Sequence, residues 1–543
     1  HWQHDGQVPV FPAVYGGADP WPGEAVLFRG VQVAGGRALA CFLISPFAWD
    51  PAGGVLSWSS GGILTVDHAG GTSESSVALP KRPVAGEAEK SGGLPPGGRI
   101  LHSLKGGLER GPRPSLDSPP VEYVVISPAE FADAWAPYVD WKNRTGTPAA
   151  LRTVEEIEAM YRHGVDRAER IRLFLQEAYA LWGTRIALIG ADPEYVPIRY
   201  GLTRYFNPTA IPTDFYYACL DGNWNGDGDQ NWGEAADTTK GSTVDLRPEL
   251  QVGRVSAATV EDVTVWVGKY LEYAKTPSTD PGYLDIGAIY GEVLFPSDYS
   301  PGDGVQYDGA VDCIAVADSV DASPFGDFYG FDEYYERWEF WSDSLGRTIK
   351  PLTKSTVMAS LDAGSNLVVH MCHGDRDRWA IGSGRVLTSD LRGADNGPRW
   401  GGMAFVVNCN SAAVDADCMG EAFQFSRSGG GINYLGSTTL DFPYAARRFQ
   451  DSFLHRWMGD LTMTPGEAWL QTAHEIAPLV PPGIDNAYRF LLYGLITLGD
   501  PQLNFWKGSP RALQVTAPAT FSPGGAPYSV LVRNALGEPL EGA

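Results

Sequence analysis

The sequence predicts an α/β layer sandwich with β-rich stretches at both ends. Three observations carry this. Two apolar runs, Leu367-Val368-Val369-His370-Met371-Cys372 and Met403-Ala404-Phe405-Val406-Val407-Asn408, are short, uninterrupted and rich in Val. Such runs suit strands buried on both faces of a parallel sheet covered by helices. Between Val121 and Trp506, runs of this kind alternate with stretches of helical period, the signature of an α/β layer. Outside those limits the pattern changes to short strands broken by Gly and Pro.

Taken in order, residues 1–85 read as an all-β domain. Ala25-Val26-Leu27-Phe28, Val31-Gln32-Val33, Ala38 to Ile44 and Ile63-Leu64-Thr65-Val66 are its strands, separated by Gly-Gly, Asp-Pro and Pro-Gly turns. Residues 86–119 turn rich in Gly, Pro, Lys and Arg and read as an exposed linker, in which Arg110-Gly111 is open to cleavage. A plain interdomain tether is the equal alternative.

A first α/β subdomain is expected over 120–280. Tyr123-Val124-Val125-Ile126 is its first strand, and Ser127-Pro128-Ala129-Glu130 has the pattern of a capping box. Phe131, Trp135, Tyr138 and Val139 follow at helical spacing. Thr153 to Glu156 predicts a second cap, before a helix ending near Gly164. Ile171, Phe174, Leu175 and Ala178 mark a third helix, Arg185 to Gly190 a strand, and Thr259–Tyr273 a helix with Val263, Trp266, Val267 and Tyr270 on one face. A second α/β subdomain, 281–510, holds the two apolar runs and Ile286-Gly287-Ala288-Ile289-Tyr290. Residues 511–543 are too few for a sandwich and read as the start of an immunoglobulin-like β domain.

Composition removes several classes of function. The 543 residues carry 41 basic and 65 acidic side chains, a net charge of −24, which argues against a phosphate-backbone footprint. No apolar run approaches the roughly 18–20 residues of a membrane span. Six cysteines without a CxxC pair make neither a disulfide scaffold nor a zinc ribbon. G-x-S-x-G and H-E-x-x-H are absent, since Pro478 stands where a histidine would have to follow His474-Glu475. The chain begins at His1, so removal of an upstream segment such as a secretory signal is expected.

Three strand ends gather reactive residues, where ligands bind in open α/β sheets. His373-Gly374 follows the first apolar run, Cys409 the second, and Glu292 the 286–290 strand. A thiol attacks an acyl carbon as thiolate, which His373 would favour before protonating the leaving amine. The N–H groups of Gly374 and Cys409 would form an oxyanion hole, and Glu292 would orient the imidazole. The bland alternative is a buried core cysteine, as expected of Cys372 beside His370. A separate loop, Asp221-Gly222-Asn223-Trp224-Asn225-Gly226-Asp227-Gly228-Asp229, offers side-chain oxygens at alternate positions, suited to structural calcium. It departs from an EF-hand, with Trp232 at position twelve and Glu234 beyond, and a polar turn is the alternative.

Several of these stretches, in order, resemble the gingipain family of cysteine peptidases within the caspase-like group. They are Tyr138-Val139-Asp140-Trp141-Lys142-Asn143, Ala187 to Asp192 before Val196-Pro197, Val252-Gly253-Arg254-Val255, His373-Gly374, Cys409, and Gly499-Asp500-Pro501-Gln502-Leu503. Leu513 to Ala519 is similar to the opening of the family's immunoglobulin-like domain. The resemblance covers Val121 to Val515, some three-quarters of the chain. It implies a caspase-like fold of two subdomains and a secreted bacterial endopeptidase working on protein or peptide substrates, with Cys409 as nucleophile and His373 as acid/base. It also implies calcium sites and a prodomain in residues 1–85, hence a zymogen. Glu292 is carried over only across a gap. Where relatives that cut after basic residues place an acid, this chain has a longer segment containing Asp298, Asp303, Asp308 and Asp312. Asp441 falls where the family lines its primary pocket, and would favour Arg or Lys in the substrate. An aqueous rim is the alternative there. Two rivals remain: a surface or adhesion protein that keeps the fold without catalysis, and a metal site built from Cys372, His373, Cys409 and Cys418.

Overall fold

The computed structural model describes residues 121–510, apart from 236–243, 245, 324–325, 327–328 and 461, together with strands nearer the two ends. The chain divides into two compact units, 108–510 and a second made of 1–107 with 511–543. In the second unit the described segments are antiparallel hairpins, Val26–Ala34 with Arg37–Ile44, Phe47–Asp50 with Val55–Trp58, Gly61–His68 with Gly71–Ala78, and Gln514–Thr516 with Leu531–Arg533. The linker with Arg110-Gly111 lies outside the described residues.

The larger unit is built on one sheet of eleven strands. In chain order these are β1 (Tyr123–Ser127), β2 (Ala149–Thr153), β3 (Ile186–Ile189), β4 (Gln251–Arg254), β5 (Ile286–Gly291), β6 (Gly330–Tyr335), β7 (Lys350–Pro351), β8 (Leu367–Met371), β9 (Gly401–Val407), β10 (Gly431–Ser437) and β11 (Leu495–Leu498). Their spatial order is β7-β6-β5-β8-β9-β10-β11-β4-β3-β1-β2. Every pairing is parallel except β10 with β11. That antiparallel pair is a seam between two parallel halves. Strands β1, β8, β9 and β10 are buried along their whole length, as suits the predominantly apolar strands of a sheet covered on both faces.

The helices follow the apolar spacing read from the sequence. Val263, Trp266, Val267 and Tyr270 are buried on helix Val260–Lys275, whose Thr259 cap is closed by Asp262. Ile171, Phe174, Leu175 and Ala178 are buried on Arg167–Leu181. Thr153 and Glu156 form the expected capping box, although the helix stops at Met160, short of Gly164. Ser127 does not cap. It ends β1, and its hydroxyl donates to the Gly190 carbonyl at 2.8 Å, fastening β1 to the turn after β3, while Pro128 opens a short 3₁₀ turn.

One buried ion pair lies beside the seam. Lys142, on helix Ala132–Arg144, donates to Asp500 at 2.6 Å, with side-chain exposures of 4% and 0%. The other Asp500 oxygen accepts from the Tyr123 hydroxyl at 2.8 Å. The Asp500 main chain exchanges two hydrogen bonds with the Asn433 carboxamide on β10, at 2.9 and 2.7 Å. Gly499 makes this close approach possible: it sits at φ +114°, and a Cβ there would strike the Asn433 carboxamide. Burial lowers the Lys142 pKa, and Asp500 works against that. Lys142→Met is therefore expected to destabilise the unit by about 3–5 kcal/mol, because it strands a buried carboxylate. Adding Asp500→Leu should restore much of the loss, which denaturant unfolding of the four-member cycle would measure.

Candidate active site

The parallel register brings the sequence-predicted residues together. Met371 on β8 pairs with Val407 on β9, so two residues further on His373 and Cys409 stand in the same row, on strands about 4.8 Å apart. On the other flank of β8, Gly291 of β5 pairs with Met371, which brings Glu292 to the neighbouring strand end. Beyond β9, the Asn410 N–H donates to the Thr439 carbonyl past the end of β10 at 2.7 Å. Four adjacent strand ends thus converge, with His373 and Cys409 part-exposed.

The imidazole is oriented by the main chain. His373 Nε2 lies 2.8 Å from the Leu294 carbonyl. A carbonyl only accepts, so Nε2 carries the proton and Nδ1 is left with its lone pair. Phe295 packs edge-on to the ring, with centroids 6.0 Å apart. The expectation that Glu292 holds this ring is corrected by the geometry. Glu292 accepts from the His373 main-chain N–H at 2.7 Å and from the Gly382 N–H at 3.0 Å, which occupies both its oxygens. It positions the His373 backbone, while Leu294 positions the ring. Burial pushes the Glu292 carboxyl up to about 8, partly offset by the His373 N–H.

Cys409 is held in a constrained turn. Asn410, next in the chain, adopts φ +60°, a left-handed conformation that Asn tolerates better than most residues. The thiol accepts from the Asp441 N–H at 3.5 Å. Burial raises the Cys409 pKa, and the carboxylates of Asp441 and Asp375 add to the rise. Both effects favour the thiol over the thiolate in the free protein. Gly374 runs against the Asn408 side chain, where a Cβ would collide with the carboxamide.

Asp441 stands at the wall of this cleft. One oxygen accepts from the Phe442 N–H at 2.9 Å. The other is buried with no hydrogen-bond partner among the described residues. Burial pushes this carboxyl up to about 7. The acidic segment upstream is used differently. Asp308 caps helix Gly309–Asp321 and pairs with Arg337, Asp312 joins Tyr307 and Arg447, and Asp303 accepts from Ser300.

The remaining cysteines and the acidic loop also have clear places. Cys372 and Cys418 are 2% and 0% exposed, and His370 is 0% exposed, its pKa lowered by burial to about 3. The groups able to hold a metal, among the described residues, include none of Cys372, His373, Cys409 and Cys418. Asp227, Asp229 and Glu234 bring ligand oxygens within 4.8 Å of one another. Asp221 clusters instead with Cys219 and Glu249, and Asn223 and Asn225 serve the loop itself: the Asn225 N–H donates to Asn223, and its side chain donates to the Asp229 carbonyl. The expected ligand set is thus divided, and Glu234 replaces Asp221 in the cluster that contains Asp227 and Asp229.

A base and a thiol stand on adjacent strand ends of a parallel sheet, an arrangement suited to a cysteine nucleophile. The sequence of residues 116–506 matches the model of Peptidase family C25, and the chain belongs to that family of cysteine peptidases. It is similar to Lys-gingipains of Porphyromonas gingivalis, at 24% identity over 445 residues for one and 22% over 457 for another. The match takes in 76% of this chain but 22% of each of those much longer proteins. Its fold is similar to that of the Arg-specific cysteine proteinase gingipain R (RgpB), and to the complex of the Porphyromonas gingivalis RgpB pro- and mature domains. Each has a TM-score of 0.57 at 18% identity, over 76% of this chain and 86% of the other. Among the described residues, no helix is long and apolar enough to cross a membrane.

Below pH 8 a neutral Glu292 and glutamine are near isosteres, whereas above it the carboxylate accepts both N–H bonds and glutamine keeps one acceptor. Glu292→Gln is therefore expected to react with iodoacetamide at Cys409 like wild type at pH 7 and to fall behind, by roughly threefold to tenfold, above pH 8. A pH series of alkylation rates checks this.

Proposed function

We propose that this chain is a secreted bacterial cysteine endopeptidase that cuts after Arg or Lys. Asp441 carries the specificity, and the observation behind it is a buried, unpartnered side-chain oxygen on the residue whose main-chain N–H reaches the Cys409 thiol. A buried carboxylate without a partner is costly, and a guanidinium or ammonium from the substrate would satisfy it. The names of the relatives, Lys-gingipain and Arg-specific gingipain R, agree with a cationic side chain at the cut.

The reaction runs on the residues already described. Cys409 Sγ attacks the substrate carbonyl as His373 Nδ1 takes the thiol proton, a role suited to a thiol that is neutral at rest. The oxyanion formed is held by the N–H groups of Gly374 and Cys409. The imidazolium returns its proton to the leaving amine, the C–N bond breaks, and a thioester remains on Cys409. Water, deprotonated by His373, then attacks that thioester, releasing the acid and the thiol. Glu292 acts through the His373 backbone and is a positioning residue.

Asp227, Asp229 and Glu234 would hold calcium, for which an all-oxygen donor set is suitable. Bound there, the ion would neutralise three crowded carboxylates and brace the loop. Glu234 also pairs with Arg204 at 2.8 Å, and Leu202 donates to the Trp232 carbonyl, so the loop supports the hairpin Arg199–Thr203/Thr209–Thr213. Residues 1–85 are read as a prodomain, with 86–119 as the segment whose cleavage would release activity.

Four measurements test this reading. A thiol-directed probe with an Arg or Lys leader should label wild type and neither Cys409→Ala nor His373→Ala. Stronger labelling after cleavage within 86–119 would establish a zymogen, and no labelling with any leader would sink the peptidase. For Asp441, cleavage after a cationic residue should rise as pH passes about 7 and the carboxylate ionises, a limb that Asp441→Asn should abolish. The folded pKa lies above the unfolded one, so wild type loses stability as pH rises from about 4 to 7. Asp441→Asn should therefore be more stable than wild type at pH 8, as thermal unfolding would show. Calcium should raise the Tm of wild type by mass action, and do so far less for Asp229→Ala/Glu234→Ala.

A further inference from the structure

Four aromatic side chains form a surface beside the cleft that the catalytic steps do not use. Phe206 is 61% exposed, Tyr444 53% and Tyr205 37%, while Phe442 is half-buried among them. The Phe442 ring meets Tyr205 at 5.1 Å and Phe206 at 6.2 Å, and the Tyr205 and Tyr444 hydroxyls are 2.9 Å apart. Solvent-exposed aromatics gathered like this mark a binding surface more often than a core.

The surface is held from below. Phe442 rests on buried Phe490 at 5.2 Å and begins helix Pro443–Gly459. Tyr205 and Phe206 lie at the tip of the hairpin Arg199–Thr203/Thr209–Thr213. Arg199 at its base makes two 2.8 Å bonds to Asp166 and lies 3.8 Å from the Trp232 ring centroid. Next to the tip, the Arg204 N–H donates to Asp485 at 3.1 Å. At the far end of the hairpin, the Thr438 hydroxyl donates to the Pro212 carbonyl at 2.6 Å, tying it to the chain just after β10. The rings are therefore presented on a braced scaffold.

The surface is also continuous with the catalytic cleft. Phe442 follows Asp441, whose N–H touches the Cys409 sulfur. One residue step plus one ring contact places Tyr205 and Phe206 on the order of 10–15 Å from the thiol, about three or four residues of an extended peptide. We propose that Tyr205, Phe206, Phe442 and Tyr444 form a substrate subsite that takes a bulky apolar or aromatic side chain within about four residues of the scissile bond. This rests on the peptidase reading and narrows its substrates to peptides that pair a cationic residue at the cut with an apolar residue nearby. Stacking on two or three rings is expected to favour such a residue over serine by about tenfold.

The test is cleavage of an unbiased peptide library by the full chain, before and after cutting in the 86–119 linker, followed by matched peptides with Phe or Ser at the enriched position. Enrichment of Phe, Tyr, Trp or Leu at one such position supports the subsite. So does collapse of the Phe-to-Ser ratio toward one in Phe206→Ser and Tyr444→Ser, with the ratio retained in Phe206→Trp. Cleavage with no apolar preference, or a ratio unmoved by both serine variants, overturns the subsite and leaves the peptidase standing. A protein whose Cys409 is alkylated but which cuts no peptide overturns both.

Discussion

The alignment of β8 with β9 is the constraint on which the site depends. Both strands are apolar on both faces, so burial alone sets their register weakly, and a slip of one residue would part His373 from Cys409. The register is pinned at both ends by an amide packed against a glycine. Just before β8, the Asn366 carbonyl accepts from the Gly402 and Met403 N–H groups, and a Cβ on Gly402 would strike the Asn366 side chain. Past β9, the Asn408 side chain fills the space where a Cβ on Gly374 would stand. Each glycine admits one neighbour at one height. The row of His373 and Cys409 inherits its alignment from these two contacts.

The second requirement is that the seam hold. The β10 end supplies Thr439 to the Cys409 turn and Asp441 to the cleft wall, yet β10 is joined antiparallel to β11 and through it to the other half of the sheet. Asp500 anchors that junction by bonding Asn433 on β10, Tyr123 on β1 and Lys142 on the covering helix. Two stretches far apart in the chain, 138–143 and 499–503, meet in that one ion pair. Their joint presence in the sequence therefore reported a three-dimensional contact.

Much of this was legible because it rests on period and on strand-end position. The runs before His373 and Cys409 could hardly be other than buried strands, and parallel sheets bring their carboxyl ends together. What escaped was carried by the main chain. The Leu294 carbonyl that orients His373 could come from any residue, and so leaves no mark in the sequence. Glu292 was found by position, but its partners are backbone N–H groups, which composition does not reveal. Ser127 looked like a cap because Ser-Pro-Ala-Glu fits the pattern, yet a tertiary acceptor, the Gly190 carbonyl, claimed its hydroxyl first. In the acidic loop, alternation suggested one ligand set. The turns at Gly222 and Gly228, both at positive φ, divide it and carry Asp221 toward Glu249 and Asp229 toward Glu234.

In the proposed peptidase, Asp441 would link recognition to chemistry. In the free protein its ionised form is disfavoured by burial with one oxygen unpaired, and its charge in turn opposes ionisation of the neighbouring thiol. A cationic side chain bound there would act on both, pairing the carboxylate and cancelling its opposition to Cys409 ionisation, which adds to the larger effect of burial. In the proposed reaction, binding energy from the substrate side chain would then appear partly as thiol activation, in the rate of the chemical step as well as in affinity. A neutral side chain in the same place would leave the thiol as it is in the resting protein. Selectivity would thus exceed what the ion pair alone contributes to binding, because the poorer substrate also meets a less reactive nucleophile.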